Sequence, residues 1–360
     1  MNKTKTPHRA PVEDKRSSDS ASNFHLVLGA GGSKAILAST GAIAAFELCG
    51  WNDWETIGGV SGGSVPAALY AHGTRAKELV WLAHSTDFSE LIKPKVGWLR
   101  RIWAICRKYR YEITLPEKGI YDPEPLRRFI NISVPRWPDN LWTLSTDRQL
   151  NQVVFTAEGA HRYLAEAAFG QPMIQEPSCV GSAVAASCAI PGIVDATHFN
   201  EEPLFDGALS HEGQCAILPP QRHFGAEPNR IIALDVGEED IKKKPFVRML
   251  LRLTCVISAC GPEEAAHPTE EEHGIILIEP RIQRFHGLKF LLDDLDKWTA
   301  IIAGFTATID TLERHGLVDR EGSPRAFELY DLLKKIPFED QSRGDCVECI
   351  EDLFKQFDVY

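Results

Sequence analysis

A serine framed by small residues, Gly59-Val60-Ser61-Gly62-Gly63, is the stretch of this chain best suited to covalent chemistry. At a sharp strand-to-helix turn a serine stands with its Oγ exposed above the sheet, and only small neighbours leave room for such a turn. Its hydroxyl can then meet an acyl carbon. The attack creates an oxyanion, which needs backbone N–H donors already aimed at it. A second glycine cluster, Gly29-Ala30-Gly31-Gly32, sits one strand-helix unit upstream and can supply them. Alone, the pentapeptide also fits an ordinary Gly-rich turn. Together the two loops predict acyl transfer through Ser61.

Strands must end beneath both loops to hold them. The run Phe24-His25-Leu26-Val27-Leu28 predicts a short buried strand stopped by the glycines, followed by a helix from Ser33 to about Leu48. Thr56-Ile57 and Val60 predict a second strand entering the serine turn, with a helix from Ser64 to about Tyr70 beyond it. That order opens a parallel sheet covered by helices. Farther on, Gln152 to Thr156 and Arg162 to Leu164, separated by Ala157-Glu158-Gly159-Ala160, predict a hairpin. A small-residue helix from Cys179 to about Ala189 should stop at Pro191-Gly192, and Pro203-Leu204-Phe205 leads into Asp206-Gly207. Buried strands are expected at Arg230 to Val236 and Gly274 to Glu279, and a long amphipathic helix from about Leu288 to Arg314. The expected fold class is α/β, three layers (α/β/α) around a mostly parallel central sheet. Residues 1–22 are expected to be a disordered polar tail, since they offer almost nothing to bury. Residues 23–315 form the expected main domain. Residues 316–360 form an expected helical extension, with helices near Pro324 to Lys335 and Cys346 to Phe357.

Composition narrows the partners. With 360 residues, 44% hydrophobic and 25% charged, the chain can bury a core in one large domain or two modest ones. Its 39 basic and 50 acidic residues give a net charge of −11, which argues against nucleic acid and against attraction of the whole molecule to anionic membrane. Any membrane contact must be local. Between Lys93 and Tyr111, Trp98 and Trp103 are interleaved with Arg100, Arg101 and Arg107. On a helix this pattern suits a lipid interface, and it equally describes a surface helix with a solvated basic face. The chain has nine cysteines, no apolar signal core near its N-terminus and no run of roughly 18 apolar residues. Reduced thiols and a cytoplasmic location are expected. Cys346 and Cys349 form a lone CxxC, read as two cysteines on one terminal helix rather than a metal site.

Three motifs in order, Gly29-Ala30-Gly31-Gly32-Ser33-Lys34-Ala35, Gly59-Val60-Ser61-Gly62-Gly63 and Asp206-Gly207-Ala208, resemble those of the patatin-like phospholipase family over approximately residues 24 to 315. The segment Ala185-Ala186-Ser187-Cys188-Ala189-Ile190-Pro191-Gly192 resembles the helix and turn before the family's aspartate strand. The resemblance implies a Ser-Asp dyad: Ser61 as nucleophile, Asp206 as general base, and the N–H groups of Gly31 and Gly32 as the oxyanion hole. It needs no metal or cofactor and implies a phospholipid or other acyl-ester lipid as substrate. Gly29, Lys34, Gly59, Gly62, Gly63, Gly207 and Ala208 would support the motifs. Asp206 also reads as a turn residue, because Asp-Gly is a common turn pair, and Lys34 as a structural ion pair. Ala30 and Ala35 stand where the family often has glycine, so both must keep negative φ. After Ala208 the segment to Pro220 lacks the family's asparagine-proline continuation.

Other readings of Ser61 remain at this level. An α/β-hydrolase triad would draw on His267, His273 or His286, although Gly32 and Ser61 lie only 29 positions apart and precede most of the sheet. An acyltransferase would use the same acyl-serine, and a scaffold would keep the fold without the chemistry. No motif names the head group, the acyl length or an activating partner.

Overall fold

The computed structural model describes residues 23–95, 115–164, 171–174, 178–210, 212–213, 215–237, 268–336 and 343–360. The expected tail 1–22 and the interfacial residues Trp98, Arg100, Arg101, Trp103 and Arg107 lie outside these. The chain opens with β1 (His25–Leu28), α1 (Ser33–Leu48) and β2 (Thr56–Val60), then a 3₁₀ turn over Ser61–Gly63 that runs into α2 (Ser64–Ala71). Next come α3 (Ala76–Ser85), α4 (Phe88–Leu91), the short strands β3 (Lys93–Pro94) and β4 (Tyr121–Asp122), and α5 (Glu124–Ser133). An antiparallel run follows: β5 (Leu141–Thr146), β6 (Gln152–Thr156), β7 (Gly159–Tyr163) and β8 (Gln171–Ile174). Then come α6 (Val180–Ser187), β9 (Thr197–Phe199), β10 (Glu202–Asp206), α7 (Leu218–Phe224), β11 (Ile231–Leu234), α8 (Glu270–His273) and β12 (Ile276–Ile278). Helices α9 (Asp294–Arg314), α10 (Pro324–Leu333) and α11 (Arg343–Gln356) complete the chain.

The main path of the sheet runs β12-β11-β1-β2-β5-β6-β7-β8. Its centre is parallel from β12 through β5, and the meander from β5 to β8 is antiparallel. Parallel strands carry helices on both faces and so must be apolar on both. Accordingly Leu26, Leu28, Ile232 and Leu234 pack into one core, and Val27, Ile231 and Ala233 into another on the opposite face. The α/β three-layer expectation therefore holds.

Helices α1 and α9 cross where Gly41 faces the backbone of Ile301 and Gly304 faces that of Ala38; a Cβ at either glycine would lie within 2 Å of a carbonyl oxygen. Side-chain-free positions let two backbones approach this closely. Residues of α10 and α11, among them Phe327, Leu329, Ile350 and Phe354, join the core that α1 and α9 share. No helix among the described residues is long and apolar enough to cross a membrane.

Three points differ from expectation. The second strand of the hairpin begins at Gly159 rather than Arg162, since Ala157-Glu158 alone make the turn and Gly159 and Ala160 pair with Thr156 and Phe155. Strand β5, central to the sheet, was not anticipated at all. Helix α9 begins at Asp294 rather than Leu288, because the Asp293 side chain accepts the Asp296 N–H at 2.7 Å and Asp296 caps back to Asp293. A reciprocal cap of this kind fixes the first turn. Residues 288–293 are thereby left out of the helix.

Candidate active site

The register of β5 brings Ser61 and Asp206 together. Strand β2 pairs with β5 as far as Val60 opposite Leu144, and β5 runs on for two residues. Those two residues pair with the end of β10, Ser145 with Asp206 and Thr146 with Phe205. The end of β10 thus continues the line that β2 leaves at the serine turn. Ser61 Oγ donates a 2.6 Å hydrogen bond to Asp206 Oδ2. The other carboxylate oxygen, Oδ1, accepts the Ala208 N–H at 2.9 Å. One oxygen thus makes the turn expected of an Asp-Gly pair, and the other reaches Ser61.

Ser61 has φ 50°, the left-handed region. For a non-glycine residue such a conformation costs about 1–3 kcal/mol, so its surroundings must hold it. The Ser61 N–H donates to Ser187 Oγ at 2.9 Å, and Ser187 Oγ donates on to the Leu144 carbonyl at 2.5 Å. The Ser61 carbonyl accepts from Ser64 Oγ at 2.5 Å. Both flanking peptide groups are therefore pinned. Ser187 stands inside the quoted Ala185–Gly192 segment, yet its bracing role has no signal in the sequence.

The two glycine loops touch. A Cβ at Gly62 would lie 2.2 Å from the Gly32 carbonyl oxygen. Gly32 has φ 58° and ψ −133°, which favours glycine, and a Cβ there would lie 2.2 Å from the Gly287 carbonyl oxygen. That carbonyl accepts the Ser33 N–H at 2.8 Å and Ser33 Oγ at 3.0 Å. Gly287, which no motif marked, is thus a buttress of the upstream loop. Neither Ala30 nor Ala35 is among the positive-φ residues, as their side chains require. Lys34 is buried and its Nζ donates to the Ile282 carbonyl at 2.7 Å, which ties α1 to the segment that carries Gly287. Gly29 donates its N–H to Leu234 at the end of β11. Gly59, Gly63 and Gly207 each lie where a Cβ would come within 2.5 Å of neighbouring backbone.

A pocket of about 510 Å³ opens over Ser61, Gly62, Gly32 and Ser33, with Phe88, Leu126, Ile190 and Phe290 among its apolar walls. Gly31 is not among its lining residues. The residues misread as helix, Leu288 and Phe290, form part of one wall. A second cleft of about 340 Å³ shares Ile36, Val65, Phe88 and Leu91 with the first.

Burial of Asp206 pushes its carboxyl up to about 7, against the opposing pull of the hydrogen bonds from Ser61 and Ala208. The cause is desolvation, which disfavours the charged form. If Asp206 accepts the Ser61 proton, only its ionised form is competent. The expected kcat/KM therefore rises about tenfold per pH unit below an apparent pKa near 7 and levels above it, as a pH profile on a soluble ester will read. A flat profile between pH 5 and 8 contradicts it. Burial together with the Asp206 charge also pushes the Cys188 thiol far up, so it stays a neutral wall residue.

Of the late histidines, His273 contacts Thr269, and His286 is half-buried beside Gly287. Neither lines the pocket, and His267 lies outside the described residues. Of the basic segment, Lys93 pairs with Glu90 and Lys95 with Asp195. Cys346 is buried and Cys349 exposed on α11, both as free thiols.

Among solved structures the chain is similar to VipD from Legionella pneumophila, at 14% identity and a TM-score of 0.46, covering 93% of this chain and 80% of that one. No curated protein matches it. The family described as Patatin-like phospholipase matches residues 26–212. Because that match takes in more than half of the chain and runs from β1 past the end of β10, the protein belongs to the patatin-like phospholipase family.

Proposed function

We propose that this protein is a serine-dependent lipid acyl hydrolase that cleaves carboxylic esters of glycerophospholipids or related lipids with Ser61 and Asp206. The direct 2.6 Å hydrogen bond from Ser61 Oγ to Asp206 Oδ2, with no imidazole between them, is the observation that carries the reading. Ser61 Oγ attacks the ester carbonyl as its proton passes to Asp206. Asp206 returns the proton to the leaving alcohol, and an acyl-Ser61 ester remains. Water, deprotonated by the same carboxylate, then releases the acid. Backbone N–H groups of Gly31 and Gly32 receive the oxyanion, each donor contributing about 3–4 kcal/mol in related chemistry. The N-terminus of α2 adds a favourable dipole at the same place. The apolar walls of the pocket suit an acyl chain better than a polar group. Peripheral membrane contact through residues 93–111 belongs to the same proposal, since a lipid ester must be drawn from a bilayer.

Incubation of the protein with a mixed phospholipid extract, read by mass spectrometry, is expected to release free fatty acid and lysophospholipid. A medium-chain alcohol added as acceptor separates hydrolysis from transfer: hydrolysis leaves free acid as the main product, and an acyltransferase yields the new ester. Replacing His267, His273 and His286 singly by Gln is expected to leave the rate within about threefold, well short of what loss of a general base costs. Collapse in any one of them would favour a triad. Lack of any turnover, together with no labelling of Ser61 by a fluorophosphonate in the presence of lipid, would favour a scaffold.

A further inference from the structure

Away from the pocket, three side chains from one hairpin and one helix converge. Glu158 in the β6–β7 turn, His161 on β7 and His223 on α7 each offer a ligand atom, and these atoms all lie within 4.8 Å of one another. The imidazole rings of His161 and His223 have centroids 4.8 Å apart. His161 Nε2 is buried and makes no hydrogen bond within the protein. A buried imidazole nitrogen without a partner is costly, so its position calls for a ligand. His223 is oriented by a second residue: its Nδ1 lies 2.6 Å from the Tyr163 hydroxyl. With Nδ1–H donated to that oxygen, Nε2 is left to coordinate. Metal-bound histidines are commonly held in this way by a partner on the other ring nitrogen.

We infer that Glu158, His161 and His223 form a binding site for a zinc-class divalent ion that ties α7 to the β6–β7 hairpin. Two imidazoles and a carboxylate suit a borderline ion such as zinc, with water completing the tetrahedron. Zinc bonds of about 2 Å hold tetrahedral ligand atoms roughly 3.3 Å apart, so the cluster must contract by up to about 1.5 Å on binding. Glu158 is exposed and free to change rotamer toward the imidazoles, and its exposure gives the ion a way in. None of the three residues lines the pocket over Ser61, so the site is structural. It clamps the antiparallel half of the sheet to the helix that follows the Asp206-Gly207-Ala208 turn.

The test uses tag-free full-length protein stripped with a chelator and titrated with zinc by calorimetry, and with cobalt by visible absorption. One equivalent is expected to bind, with the d–d bands of tetrahedral cobalt. The His161→Ala/His223→Ala pair is expected to lose affinity by about 100-fold or more, and Tyr163→Phe by about 10-fold, as for an orienting partner. Zinc is expected to raise the melting temperature of the wild type above its value in chelator, and to leave that of the double variant at its own value in chelator. A Cys346→Ser/Cys349→Ser variant is expected to bind as the wild type does. Absence of stoichiometric binding to the wild type, or equal binding by the double histidine variant, overturns the site.

Discussion

Ser61→Ala protein is expected to turn over ester substrates at least about 10⁴-fold more slowly than wild type, and Asp206→Asn to fall by a similar factor. Removing Oγ removes the atom proposed to form the acyl bond. Removing the carboxylate removes the only proton acceptor that hydrogen-bonds this Oγ among the described residues. Because the two act as one unit, the double variant should be little worse than either single one. Steady-state rates on one soluble ester, with fluorophosphonate labelling as a second readout, check this. An Asp206→Asn enzyme that keeps a tenth of its activity would remove Asp206 from the mechanism.

Stability should move the other way. The folded Asp206 carboxyl sits at about 7, above the roughly 3.9 of an unfolded aspartate. Between those values the folded state holds more protons than the unfolded one, so this group's contribution to stability falls as pH rises. A difference of about three units corresponds to about 4 kcal/mol of cost by pH 8. Asp206→Asn is therefore expected to melt higher than wild type at pH 8, with the gap closing toward pH 4. Buried Glu212, also pushed up to about 7, titrates in the same window, so the difference between the two proteins is the informative quantity.

Gly62→Ala is expected to cost about 10²–10³ in kcat, comparable to loss of one oxyanion donor. Its methyl would sit 2.2 Å from the Gly32 carbonyl oxygen. Backbone cannot swing aside as a side chain can, so the two glycine loops must part. Overpacking of this kind costs about 1–3 kcal/mol, a melting shift of a few degrees. Gly50→Ala is the control: it carries φ 81° but nothing lies within 4 Å of its Cβ. It should lose some stability and keep its activity. Equal activity of the two variants would show that the contact between the loops is not required.

The halves of the site differ in how openly the sequence displays them. Ser61, Gly32 and Asp206 were legible because turn geometry restricts residue type there, and helix α1 and strand β2 fall where apolar runs meet glycine. Strand β5 was missed even though Pro138-Asp139-Asn140 turns the chain just before it, because Leu141-Trp142-Thr143-Leu144 neither alternates nor forms an unbroken apolar run. The start of α9 was misread because amphipathic spacing continues upstream of Asp293, and only the reciprocal cap with Asp296 shows where the helix begins. Gly287 and Ser187 act through backbone contacts to partners far along the chain, and a single sequence carries no record of such pairings.

The Gly287 buttress has a bearing on how the protein is made. Every group assigned to the chemistry lies within the first 206 residues, yet the loop meant to receive the oxyanion is held by a carbonyl 254 positions after Ser33. During synthesis the nucleophile and its base leave the ribosome well before Gly287 and α9 do. A contact of such long sequence separation is among the last to form. A chain still being translated thus carries Ser61 beside an upstream loop not yet braced, so the proposed chemistry would have to wait until the segment carrying Gly287 has folded.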